Sequence, residues 1–216
     1  MYSFDPARLR NIEKAISAPR LSRYVVIAGG DLEKAIHLHS WNTKLGSSLH
    51  LPLQLFELLF RNTLDATLAA RFGNDWYDAK YHHFDPKSQK QIDAAKDQLL
   101  NQGRPLNPPC VVAQFSFGFW LNMLTRKHET RFWVAAVYSS FPHAPRPLDR
   151  RRIHDSVDKI RLLRNRIAHH EPIYLRNLEQ DLNHVVTVSR WMCPDTADWI
   201  ESFRGELLLT IASNPV

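Results

Sequence analysis

The chain has 216 residues, enough for one sizeable hydrophobic core, and nothing in it forces a division into two domains. Its 44% hydrophobic and 23% charged residues are ordinary for a soluble globular protein, and a formal charge of +6 favours polyanionic partners. The two cysteines, Cys110 and Cys193, are far apart with no C-x-x-C, which argues against a disulfide framework or a zinc site.

No basic region followed by an apolar run opens the chain, so no export signal is expected. The longest apolar region, Cys110 to Leu124, is interrupted by Gln114, Ser116 and Asn122 and is short for a membrane span. The expectation is a cytoplasmic protein without membrane contact. Seven glycines and few alternating apolar runs favour helices over strands, and the thirteen prolines fall mostly between periodic segments.

In chain order, Asp5-Pro6 reads as an N-cap and first turn, starting a helix to about Ser17. A second short helix follows from Pro19 through Val26 and ends at Gly29-Gly30. Asp31 caps the next, with Leu32, Ala35, Ile36 and Leu38 leading to Trp41, a core anchor, and Leu45. His37 and His39 read as polar-face or core-edge residues. Leu53 to Phe72 is the strongest helix of the first half, its stripe formed by Leu53, Phe56, Phe60, Leu64 and Leu68. Glu57 lands inside that stripe, an unusual place for a carboxylate. Two cations are available to it: Arg61 one turn on, or Arg164 from a distant helix.

Gly73 stops that helix. Trp76, Tyr77 and Tyr81 in the next loop could stack on unpaired bases, but folding their rings over the core is the stronger expectation. His82-His83 is poor evidence for a metal. Pro86 to Asn101 reads as a surface helix with a thin apolar edge at Ile92, Ala95 and Leu99. Val111 to Thr125 reads as one aromatic helix, opened by Cys110 as a small core residue, with Gly118 admitting a neighbouring helix. Thr130 to Phe141 reads as a further helix. After a proline-rich connector comes a helix with Ile153, Val157, Ile160, Leu163 and Ile167 inward. Leu175 to Trp191 is amphipathic, Asp195 caps a last helix through Phe203, and Gly205 to Val216 should trail over the surface. The architecture is all-α.

The segment Arg161-Leu-Leu-Arg-Asn-Arg-Ile-Ala-His-His-Glu-Pro172 stands out. From Arg146 to Glu171 there are eight Lys/Arg against four Asp/Glu, with His154, His169 and His170 besides. Arg164 projects into the apolar stripe, where a guanidinium must be paired or aimed at an anion. On an ideal helix His169 lies about 140° round from Arg164. Either the helix unwinds before Pro172 or the two groups meet across a subunit contact.

Arg164 followed by four residues and His169, with Asn165 after the arginine, resembles the R-x4-6-H signature of the HEPN superfamily. The longer Leu-Arg-Asn-Arg-Ile-Ala-His-His-Glu-Pro is similar to its abortive-infection (Abi-like) branch. Tyr24, the Gly-Asp step at 30–31, Trp41-Asn42, Leu53 to Asn62 and the Phe115 to Trp120 run extend the likeness over about residues 18 to 200. The resemblance implies a single HEPN-type helical bundle over 1–216, its core about 18–204, with additional N-terminal and C-terminal helices.

It also implies a toxin-like endoribonuclease of phage defence that needs no metal or other cofactor. Such a protein works as a homodimer bringing two motifs together. The residue types suit the reaction: RNA carries its own nucleophile in the 2′-hydroxyl, an imidazole can move its proton, and an arginine fork can hold the phosphate. On that likeness His169 is the acid/base, Arg164 the phosphate clamp and Asn165 an orienting amide. His170 is an alternative or second acid/base. Glu57, Arg61 and Glu171 support the site, and Arg161 and Arg166 bind the RNA backbone. An antitoxin protein or small RNA would restrain it. The position two after His169, a tyrosine in relatives controlled by nucleotidyl transfer, is Glu171, and Tyr174 lies three further on. A silent module binding RNA or protein is the alternative, with Arg164, Asn165 and His169 then forming a buried polar network. A metal site on His169, His170 and Glu171 is disfavoured because adjacent side chains point apart.

Overall fold

The computed structural model describes residues 4–78 and 84–215, so Tyr81, His82 and His83 lie outside it. Every regular element among the described residues is helical. Asp5 caps α1 (Pro6–Ile16), its carboxylate accepting the Ala7 and Arg8 amides. Helix α2 (Ala18–Ile27) ends where Gly29 and Gly30 take positive φ. Helix α3 (Leu32–Phe72) starts on the Asp31 side chain and stops at Gly73, φ 91°.

Helix α3 is the axis of the molecule. Its 41 residues run for about 60 Å at 1.5 Å per residue. The two helices expected around Trp41 and after Leu53 are therefore one. Pro52 lies inside it, and a mid-helix proline costs about 3 kcal/mol through its lost N–H and ring clash. Leu45, Leu49, Leu53 and Phe56 are buried on either side of it, and each contributes roughly 1.5–3 kcal/mol by leaving water. The buried Ser48 hydroxyl also turns back to the Leu45 carbonyl at 3.0 Å. Burial outweighs the break.

Around α3 pack α4 (Pro86–Asn101), α5 (Pro108–Gln114), α6 (Phe117–Asn122), α7 (Arg150–Ala168), α8 (Leu178–Met192), α9 (Pro194–Glu201) and α10 (Arg204–Ala212). Helices α2, α6, α7, α8, α9 and α10 touch α3 directly. The thin edge of α4 is buried as expected at Ile92, Ala95 and Leu99. Trp76 and Tyr77 fold their rings into the core, and the Trp76 indole donates to Asp65 at 2.8 Å.

Several expectations fail for local reasons. The aromatic helix after Cys110 is broken at Phe115, which is extended, and Ser116 restarts it by accepting the Phe119 amide. Cys110 is only half-buried, and Gly118 is exposed with no neighbouring helix against it. Thr130 to Phe141 is no α-helix: short 3₁₀ segments at Arg126–His128 and Val137–Ser140 flank a π turn at Glu129–Trp133. That irregular segment buries both Phe132 and Trp133. The tail after Gly205 does not trail. It forms α10, which buries Leu207 and is pinned by the Trp41 indole donating to the Thr210 carbonyl at 2.7 Å. In addition, α9 begins one residue before Asp195, on Cys193 and Pro194.

Candidate functional site

Helix α7 starts on the Asp149 side chain and buries Ile153, Val157, Ile160 and Leu163. Its apolar stripe brings it against α3, where Gly46 makes room: a Cβ there would lie 3.4 Å from Ile167 Cγ2. Farther along α3, the Arg164 Nε donates to Glu57 Oε2 at 3.1 Å. This settles the choice of partner for Glu57. Arg61 instead donates to its neighbour Asn62 at 3.1 Å, and lines a separate cleft with Asp65 and Asn74. With Arg164 42% and Glu57 28% exposed, their ion pair contributes about 1 kcal/mol or less. It positions the guanidinium more than it stabilises the fold. Among the described residues the Arg164 hydrogen bonds run from Nε alone, leaving the terminal nitrogens as donors.

The helix end decides where the histidines go. The His170 amide donates to the Ile167 carbonyl and the Glu171 amide to the Arg166 carbonyl, while His170 takes φ 55°. This is a Schellman turn with histidine at the left-handed position that glycine usually fills. Pro172 then prevents any return to helix. Buried Asn42 on α3 captures the outgoing chain, its side-chain oxygen accepting the Ile173 amide at 2.7 Å and the Tyr174 amide at 3.2 Å. The unwinding anticipated before Pro172 is therefore present, and it rotates His170 rather than His169 toward Arg164's side.

The result is a groove of about 930 Å³ between α3, the end of α7 and the start of α2. Arg164, His170 and Glu171 line it from one side, Glu57, His50 and His39 from the α3 side, and Arg20 from α2. His39 is half-buried with its ring edge-on to Tyr24 at 5.2 Å. Burial first, then the charges of Arg20 and His170, hold its imidazole below the ordinary range. Tyr24 itself is pushed up to about 12 by burial and then by Tyr174, and its hydroxyl is buried without a protein partner.

No family model, curated protein or solved structure matches this chain. Its chemistry must be read from the groove.

The groove is long. His170 sits between Ile167, packed on Gly46, and Ile173, tied to Asn42. Glu57, which holds Arg164, lies eleven residues beyond Gly46, or about 16 Å along α3. Arg164 and His170 therefore share the groove toward opposite ends. His169 is exposed and does not line it; Asn165, half-buried, does not line it either. Arg161 is held by Asp158 at 2.7 Å, and Arg166 faces Glu171 at 3.7 Å on the surface. Among the described residues no three His, Cys, Asp or Glu side chains cluster as a metal site would require.

Arg20, His39, His50, Asn42 and Gly46 were not singled out from the sequence as site residues. The signal was there in part: 39, 43, 46, 50, 53 and 57 follow the 4-3-4-3-4 spacing of one helix face. It is visible only if Pro52 is read as lying inside a helix.

Proposed function

We propose that the chain is an Abi-like protein of the HEPN type and acts as a metal-independent endoribonuclease. The observation that supports this reading most is the groove itself, which an arginine oriented through Nε, its terminal nitrogens left to donate, shares with a groove-facing histidine on a left-handed backbone. Arg164 would hold the scissile phosphate and offset charge on its non-bridging oxygens. His170 would move the proton, and His169, exposed one residue earlier, is the alternative. The 2′-oxygen attacks phosphorus as its proton leaves, the bond to the 5′-oxygen breaks, and that oxygen takes a proton. The products are a 2′,3′-cyclic phosphate and a 5′-hydroxyl.

The spacing of Arg164 and His170 along one groove favours a homodimer in which one chain's arginine meets the other chain's histidine. The biological setting of this reading is phage defence or toxin-like growth arrest in the cytoplasm, with an antitoxin protein or small RNA as restraint. Purified protein incubated with RNA in excess EDTA should cut it, and Arg164→Ala and His170→Asn should each lose the activity. Mixing the two inactive variants should restore part of it, because a mixed dimer holds one intact composite site. Binding without cleavage in the wild type refutes the nuclease and leaves the silent RNA-binding module.

A further inference from the structure

The end of the groove away from Arg164 gathers Arg20 and His39, to which no role has yet been given, beside His170. Arg20 projects from the first turn of α2, His39 from α3 and His170 from the turn after α7, and all three line one cavity. Arg20 has no ion pair among the described residues. Glu171 also lines this end, 3.7 Å from Arg166. Farther along are His50, Arg164 and Glu57, the last two paired with each other. Arg23 lies near Tyr24 on α2.

We infer that Arg20 and His39, beside His170, form a phosphate-binding subsite that holds a phosphate next to the scissile one on the same polynucleotide strand. Burial, and then the charge of Arg20, disfavours the protonated form of His39 in the free groove. A bound phosphate anion reverses the balance: it pairs with the Arg20 fork and accepts from the His39 ring N–H. The interval along α3 between this subsite and Glu57 suits several nucleotides of single strand laid lengthwise. The inference rests on the reading of this groove as an RNA site, but binding here does not require turnover.

The test follows the histidine ring resonances of the intact protein by NMR as pH is varied, with and without inorganic phosphate. Phosphate should move the titration of His39 to higher pH in the wild type and not in Arg20→Gln, a substitution at an exposed position. An unmoved His39 ring, or a shift that persists in Arg20→Gln, overturns the subsite. A second arm separates a polymer from a small phosphate ligand. With a catalytically disabled Arg164→Gln background, an oligoribonucleotide of eight residues should bind with a salt dependence reduced by about one charge when Arg20→Gln is added. An unchanged salt dependence with tight 5′-mononucleotide binding overturns the strand assignment. Loss of RNA cleavage has no bearing on either arm, and failure of either arm leaves the nuclease test unaffected.

Discussion

His170→Gly separates stability from function more sharply than any other substitution at this site. His170 holds φ 55°, a conformation that costs a residue with a Cβ roughly 1–2 kcal/mol. Glycine removes that strain but brings roughly 0.5–1 kcal/mol of extra unfolded-state freedom. The ring makes no hydrogen bond among the described residues and is exposed, so little packing is lost. The net gain is about 0.5–1 kcal/mol, or about 1–4 °C in Tm for a chain of this size. If the imidazole moves the proton, RNA cleavage should fall by roughly 10²–10⁴. Differential scanning calorimetry and a fluorescent RNA assay on the same preparation read both. A lower Tm would refute the argument from backbone strain. A higher Tm with full cleavage would refute the role given to His170 and pass it to His169.

Other outcomes follow from the same structure. Asn42→Ala leaves the buried Ile173 amide without its acceptor, which costs about 1–3 kcal/mol and should lower Tm by about 2–12 °C. The groove should loosen with it, seen as faster amide exchange over residues 169–174. Stability should also fall on acidification in two windows set by buried His128 and its neighbour Asp85, 3.1 Å apart. Burial outweighs the pull of Asp85 and lowers the His128 pKa, so the unfolded chain binds that proton more readily and stability drops as pH falls from about 6.5. Asp85 is held well below the carboxylate range by Ser88 and Lys127 against the opposing effect of burial. Its contribution is complete above the unfolded value near 4 and is lost as pH falls through the folded one. Urea midpoints from pH 8 to 3 check both, and His128→Gln should shrink the upper window, leaving the part that His39 contributes.

The all-helical class, the capping of α1 and α3 by Asp5 and Asp31, and the inward faces of α7 and α8 follow from local physics. Period, cap and stop signal are written within a few residues of one another. The anomaly of Glu57 and Arg164 was equally legible, since opposite charges in two apolar stripes need a partner. Which cation Glu57 takes was not legible, because Arg61 satisfies helix spacing as well as Arg164 satisfies packing.

What the chain alone determined is therefore the kind of element and the presence of an unusual basic helix end. The tertiary structure decided the rest. It carried α3 straight through Pro52, because burial on both flanks exceeds the loss of one hydrogen bond. It put His170 rather than His169 in the groove, because the chain leaving the left-handed turn at the end of α7 is held at Ile173 by Asn42 from 131 positions away. Interactions between distant segments leave no periodic trace in either one, so only the folded chain could reveal them.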